Sequence, residues 1–302
     1  MKGNLLGIGF AVLALLLICS EVIVAKLGLD TVNVMNIVWL QYIISLIGFM
    51  IMVRYVKFQW QLIKPNKVLI FFSSLSKLAN VYFFYSSIFY LFPDFIAVTS
   101  LSGDLFIIFG GILFLKESFR KKQIIGLLMV VAGLAIYFYQ TVSEFSPENL
   151  NVGLFYLVLS QFCWAFYALS QKTLIKKDIP PCNLNFFTFL FTSVAILPFV
   201  NFGEIAGFSL KIWVLITITA LITLYTYTAL LKAFQFIDAN RVSIILSSSP
   251  FLTVVLVYGF NFFSSQKIEL SELGIIETIG GIILITGIII SNWKSTKNKN
   301  PL

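Results

Sequence analysis

Three ionisable side chains, Glu21, Lys77 and Asp104, stand inside long apolar stretches of this chain. Each costs at least about 2.5–3.5 kcal/mol to place in a hydrocarbon core, so each is a functional candidate by default. Lys77 offers an ammonium to a carboxylate or phosphate. Asp104 and Glu21 offer carboxylates to an amine, or to a proton in exchange. Together they would hold the two ends of a charged or zwitterionic solute. Two other readings stay open: a structural Lys77–Asp104 ion pair, and a Glu21 side chain that snorkels outward to water. The sequence has no histidine, which removes His-ligated metals, Ser-His-Asp triads and imidazole proton relays. Cys19, Cys163 and Cys182 have no metal-ligand spacing and read as free thiols. No Gly-x4-Gly-Lys-Ser/Thr loop is present, so ATP is not the direct energy source; no cofactor and no metal are expected.

The elements that must carry these groups are membrane spans. The 302 residues are 59% hydrophobic and 11% charged, against about 25% charged in a soluble domain. Stretches near the length of about 20 apolar residues that a bilayer requires fall at 5–27, 33–53, 67–91, 94–115 and 122–140. A second set falls at 152–174, 183–202, 211–236, 241–263 and 273–292. Turn chemistry separates them at Lys64-Pro65-Asn66, Phe92-Pro93-Asp94, Ser146-Pro147-Glu148 and Pro180-Pro181. The apolar run after Lys2 has no cleavage site of the A-x-A kind and reads as a retained first span.

The two sets repeat one another. Gly7 with Gly153, and Lys26 with Lys172, are each 146 positions apart. The pair Gly126 and Gly133 recurs as Gly280 and Gly287 at an offset of 154, which places an insertion late in the second copy. Five spans per copy force the second copy to enter the membrane upside down. The expected fold is therefore an all-α membrane protein of ten transmembrane helices, arranged as two inverted five-helix repeats. Residues 1–146 form the first repeat, 147–292 the second, and 293–302 a cytoplasmic tail. Most of the 21 basic residues fall on one side, in the groups Arg54–Lys67, Lys116–Lys122, Lys172–Lys177, Lys232–Arg241 and Lys294–Lys299. That asymmetry puts both termini in the cytoplasm. It also explains the net charge of +8 as topogenic loop charge, with no nucleic-acid partner implied.

Helical spacing extends the charges into stripes. Ser73, Lys77, Asn80 and Phe84 share a face of the third span, and Ser100, Asp104 and Gly111 a face of the fourth. Trp164, Tyr167 and Gln171 line up on the sixth span. Thr219, Thr223 and Thr226 do so on the eighth, where Tyr227 follows, and Ser243, Ser247 and Pro250 on the ninth. Such stripes enclose a mostly aromatic cavity with a few fixed polar groups. Lys77, Asp104, Glu21, Asn80, Phe84, Trp164, Tyr167, Thr223, Tyr227 and Ser247 are its candidate lining. Pro250, read as lying within a span, removes a backbone hydrogen bond and is a candidate hinge. A static kink is the alternative.

The segment PDFIAVTSLSGDLFIIFGGILFLKESFRKKQIIGLLMVVAGLAIY (93–137) ends a helix with Gly110, Gly111 and Glu117, then runs through Lys121 into a helix with Gly126 and Gly133. With Trp164-Ala165, Ser249-Pro250 and the late Gly280 to Gly287 helix, it resembles the drug/metabolite transporter superfamily, in particular the ten-span EamA-type permeases. The resemblance covers essentially the whole chain and implies fold more than substrate. The chain departs from the family pattern at Asp104, where a proline is usual, at Gln41, where many members carry Arg, and at Phe263, which replaces a second Glu. Glu117 itself reads as a residue for capping and topology.

The expected function is a secondary transporter in a bacterial inner membrane. It moves a small organic metabolite, an amino acid or similar charged or zwitterionic solute, by export or exchange, through a central cavity by alternating access. The partners are that solute, the lipid bilayer and, as an open coupling ion, the proton. The chain is expected to be a monomer or weak dimer. A polytopic membrane enzyme or a non-transporting scaffold are the alternatives; no Asp-rich pair or soluble catalytic segment favours the former.

Overall fold

A computed structural model describes residues 2–29, 32–56, 59–88, 90, 100–117, 121–137, 147–264, 268 and 275–292. All regular structure among the described residues is helical. The longer helices are α1 (Lys2–Lys26), α2 (Val34–Val56), α3 (Lys67–Ile88), α4 (Leu101–Leu115), α5 (Lys121–Tyr137) and α6 (Pro147–Ile175), followed by α7 (Pro181–Ile196), α8 (Leu210–Phe236), α9 (Ala239–Leu246), α10 (Ser249–Phe263) and α11 (Ile275–Asn292). Among the described residues, six stretches are long and apolar enough to cross a bilayer: Gly3–Lys26, Val34–Arg54, Trp60–Ser87, Val152–Ile175, Pro181–Phe199 and Leu210–Phe236. The expected fourth span, 94–115, is described as a helix only from Leu101; Pro93 and Asp94 lie outside the described residues.

The expected single span at 241–263 is instead two helices, α9 and α10, bent by 41° at a break around Ser247 and Ser248. The hydroxyls of both serines donate back into α9, to Ile244 O at 2.9 Å and Ile245 O at 2.7 Å. Pro250 follows the break, in the first turn of α10, where a missing N–H removes no helical hydrogen bond. The mid-span proline expected from sequence is thus a helix-starting proline, and the discontinuity comes before it.

The helix pairings are reciprocal between the two halves. The first helix of one half packs on the third of the other in both senses, α1 on α8 and α6 on α3. Likewise α2 packs on α8 as α7 does on α3, and α4 on α6 as α10 does on α1. Two further large pairs, α2 with α7 and α5 with α11, map onto themselves. In the α5–α11 pair the expected glycines explain the close approach: a Cβ on Gly287 would sit 2.7 Å from the Gly126 carbonyl oxygen.

Contacts along the helices fix their directions. Trp39 Nε1 of α2 donates to Ser193 O of α7, while Tyr42, further along α2, packs on Phe189, further back on α7. These equivalent helices therefore run antiparallel. Ser45 and Gly48 of α2 meet Ala220 and Leu224 of α8 in parallel order, whereas α1 meets α8 in reverse, Gly7 beside Ile237 and Glu21 beside Thr223. The same holds for α3 against α6, with Ser76 on Cys163 and Phe83 on Tyr156. Equivalent helices of the two halves point in opposite directions, as an inverted repeat requires. In this arrangement Arg54, Lys64, Lys67, Lys116, Lys121, Lys176, Lys177 and Lys232 gather at one end of the bundle. Lys26 and Lys211 lie at the other.

Candidate functional site

A cavity of about 270 Å³ opens among α1, α2, α3, α6 and α8. Lys77 reaches it from α3 with only 5% of its surface exposed. Its Nζ donates to Asn80 Oδ1 at 3.1 Å, one helical turn on. Asn80 is oriented for this role by α6: its Nδ2 donates to Ser160 Oγ at 2.9 Å and to Ser160 O at 3.1 Å. The Ser160 hydroxyl donates back to Asn80 O at 2.9 Å. With both amide donors engaged across the helix pair, the amide oxygen is left to face the ammonium.

Three rings surround the same ammonium. The centroids of Trp164, Tyr227 and Tyr167 lie 5.0, 5.2 and 5.9 Å from Nζ. A desolvated cation over such a ring gains about 2 kcal/mol or more, which offsets part of the cost of burial. The rings also brace one another, with Trp164 at 5.6 Å from Tyr167 and Phe189 at 5.1 Å from Tyr227.

Glu21 enters from α1 and turns inward to the cavity. Its Oε1 accepts from Thr223 Oγ1 of α8 at 3.3 Å, and the side chain of Gln41 lies beside it in the lining. The outward snorkelling left open by the sequence is not the conformation found. The site thus sets one carboxylate and one ammonium into a shared, ring-lined space, where each attracts the other.

Of the residues expected from sequence, Glu21, Lys77, Asn80, Phe84, Trp164, Thr223 and Tyr227 line this cavity. Tyr167 lies against it, fully buried, with a hydroxyl that finds no hydrogen-bond partner among the described residues. Asp104 is not among the lining residues. It is half-buried where α4 packs on α9, beside the Ser243 side chain. Lys77 and Asp104 share a depth but are held by different partners, because depth along a helix does not set the direction in which its side chain points. Ser247 is buried in the α9–α10 break and bonded to its own helix.

The cavity also uses Val38, Gln41, Tyr42, Val81, Tyr85 and Gln161, which were not expected there. Val38, Gln41 and Tyr42 follow the three-and-four spacing of one face of α2, and Gln161 extends the Trp164 stripe by three residues. Helical spacing was therefore a signal that could have found them.

Two further charges serve the scaffold. Glu117 accepts from the backbone N–H groups of Ala239 at 3.1 Å and Asn240 at 3.3 Å. Its carboxylate therefore caps the first turn of α9 across the two halves, where a negative group is favoured. Lys172 Nζ donates to Phe234 O and, at 2.6 Å, to Ile237 O, closing the C-terminal end of α8. Among the described residues, no cluster of His, Cys, Asp or Glu could hold a metal ion.

Comparison with known proteins agrees with this architecture. The family profile described as EamA-like transporter family matches twice, at residues 5–139 and 151–293. A Haemophilus influenzae protein named an uncharacterized transporter is 24% identical over 290 residues, covering 95% of this chain and 94% of the relative. The Escherichia coli protein YhbE, named an uncharacterized inner membrane transporter, is 27% identical over 177 residues, 58% of this chain and 55% of that one. One solved crystal structure superposes with a TM-score of 0.77 over 96% of each chain at 13% identity, a likeness of fold.

Proposed function

This chain belongs to the EamA-like transporter family, and from that premise we propose that it is a secondary transporter of a small zwitterionic organic solute, such as an amino acid. The observation that carries this reading is the pairing of Lys77 and Glu21 in one aromatic cavity. An ammonium with N–H groups to spare takes the carboxylate or phosphate of the solute. The Glu21 carboxylate takes its amine, and the rings of Trp164, Tyr227 and Phe84 cover the apolar remainder. A solute with both charges satisfies both side chains at once. A solute with one leaves the other charge facing it unpaired.

Transport follows by alternating access, the two repeats rocking about the cavity and exposing it to each face in turn. The α9–α10 break serves as the joint that lets the second repeat flex. Both termini lie on the cytoplasmic face, with the basic end of the bundle. A proton competing with the amine for Glu21 couples flux to the proton gradient.

The test is counterflow of radiolabelled amino acids by the purified protein in liposomes. Wild type exchanges them; Lys77→Ala and Glu21→Gln insert normally and do not. Turnover of a lipid substrate with no solute flux would favour the enzyme reading instead.

A further inference from the structure

The structure holds a second cavity, of about 550 Å³, at the basic end, where the last turns of α2 and α8 meet the turn between α6 and α7. One wall is a face of α8, with Thr228, Lys232 and Gln235 at helical spacing. The facing turn contributes Asp178, and Met52 and Cys182 supply apolar surface. The turn is well defined. Asp178 has φ 61, in the left-handed region, its N–H donates to Ile175 O at 3.0 Å, and Pro180-Pro181 restrict the chain beyond it. Lys232 rests its ammonium 5.3 Å from the Phe10 ring.

The chemistry repeats that of the central site: one ammonium, one carboxylate, a threonine hydroxyl and a glutamine amide around an apolar wall. A single helix, α8, serves both cavities, with Thr223 and Tyr227 turned to one and Thr228 and Lys232 to the other. We propose that this second cavity is a binding station for a zwitterion, whose amine is taken by Asp178 and whose carboxylate or phosphate is taken by Lys232. A purely anionic ligand would meet Asp178 as a like charge, and a purely cationic one would meet Lys232, so a dipolar ligand matches the pair. Two sources carry that chemistry, a soluble amino acid and a phosphatidylethanolamine headgroup. The first rests on the transporter reading and makes the cavity a second stop for the solute; the second does not depend on it.

Cys182 lines this cavity and reports on its occupancy. The full-length protein is treated with a membrane-impermeant maleimide, and modification at Cys182 is read by peptide mass spectrometry, which leaves Cys19 and Cys163 in place. L-leucine and L-phenylalanine are added in detergent without lipid. Phosphatidylethanolamine and anionic phosphatidylglycerol are compared in nanodiscs. Labelling is expected to slow several-fold with a zwitterion and to recover in Lys232→Gln and in Asp178→Asn. Protection by the amino acids assigns the station to a solute, and protection by phosphatidylethanolamine alone assigns it to a lipid headgroup. No protection by either, equal protection by phosphatidylglycerol, or protection that survives both substitutions overturns the proposal. The readout needs no transport, so a protein that binds here and moves no solute refutes the transporter reading and leaves this one standing.

Discussion

The two repeats bring the same positions to the centre of the molecule and furnish them with opposite chemistry. Glu21 and Tyr167 are 146 positions apart, as are Lys77 and Thr223, Asn80 and Thr226, and Val81 and Tyr227. The contacts correspond as well: Glu21 meets Thr223, and Tyr167 meets Lys77. The first repeat supplies the ammonium and the carboxylate, and the second supplies ring faces and a hydroxyl that hold them. Where the exchange is incomplete, it leaves a trace. Asn80 bonds Ser160, but the position equivalent to Ser160 is Ala14, and the Thr226 hydroxyl is buried with no hydrogen-bond partner among the described residues. Pseudo-symmetry of the backbone thus coexists with an asymmetric site, in which both charges come from one half and part of their support from the other.

The sharpest way to break this comparison is to remove the charge on one side and its counterpart on the other. Lys77→Met is expected to weaken solute binding by about a hundredfold or more, within the roughly 2–5 kcal/mol cost of truncating one member of a buried charged pair. Thr223→Val loses one hydrogen bond to a carboxylate, about 1.5–3 kcal/mol, and falls below it. Both are read as ligand-induced thermal shifts of the purified protein, and equal losses would refute the division of roles. Glu21→Gln keeps an acceptor for Thr223 and removes the charge. Amine-bearing solutes should lose about tenfold in affinity while their deaminated analogues lose little, a selectivity change worth about 1.4 kcal/mol.

A smaller effect separates scaffold from site. Glu117→Gln weakens the cap on α9 and should lower apparent stability by about 1 kcal/mol, measured by thermal unfolding, with solute selectivity unchanged. The smallest effect belongs to Asp104→Asn, which keeps the shape of the side chain beside Ser243. Solute affinity should shift by less than about 0.5 kcal/mol, as expected for a change outside the site. A hundredfold loss would return Asp104 to the binding machinery.

Much of this was legible in the sequence because membrane spans announce themselves by length and polarity. Six spans were visible, and the recurring glycine pairs marked the two helices that approach closely, though not which glycine meets which. Lys77, Glu21 and Trp164 were readable because a polar or bulky group in an apolar stretch stands out against its background. Asp104 stands out equally and faces elsewhere: its depth could be counted from the span, but its direction is set by the packing of α4 between α6 and α9. Tyr42 and Tyr85 were hidden for the opposite reason, as two among 12 tyrosines and 32 phenylalanines. The break at Ser247 could not be read from Pro250, since a proline starts a helix as readily as it kinks one.

The reciprocal packing of the two halves is the geometry of an isologous dimer, in which residue i meets j and j meets i. Two identical half-length chains could meet in this way, but any lysine near their axis would then occur twice, and two ammoniums would repel across the space meant for a ligand. Carrying both halves on one chain removes that constraint. Each central position is set independently, so the net charge of the cavity can change by single units, and a site for a dipole can arise on a frame whose symmetry would otherwise forbid it.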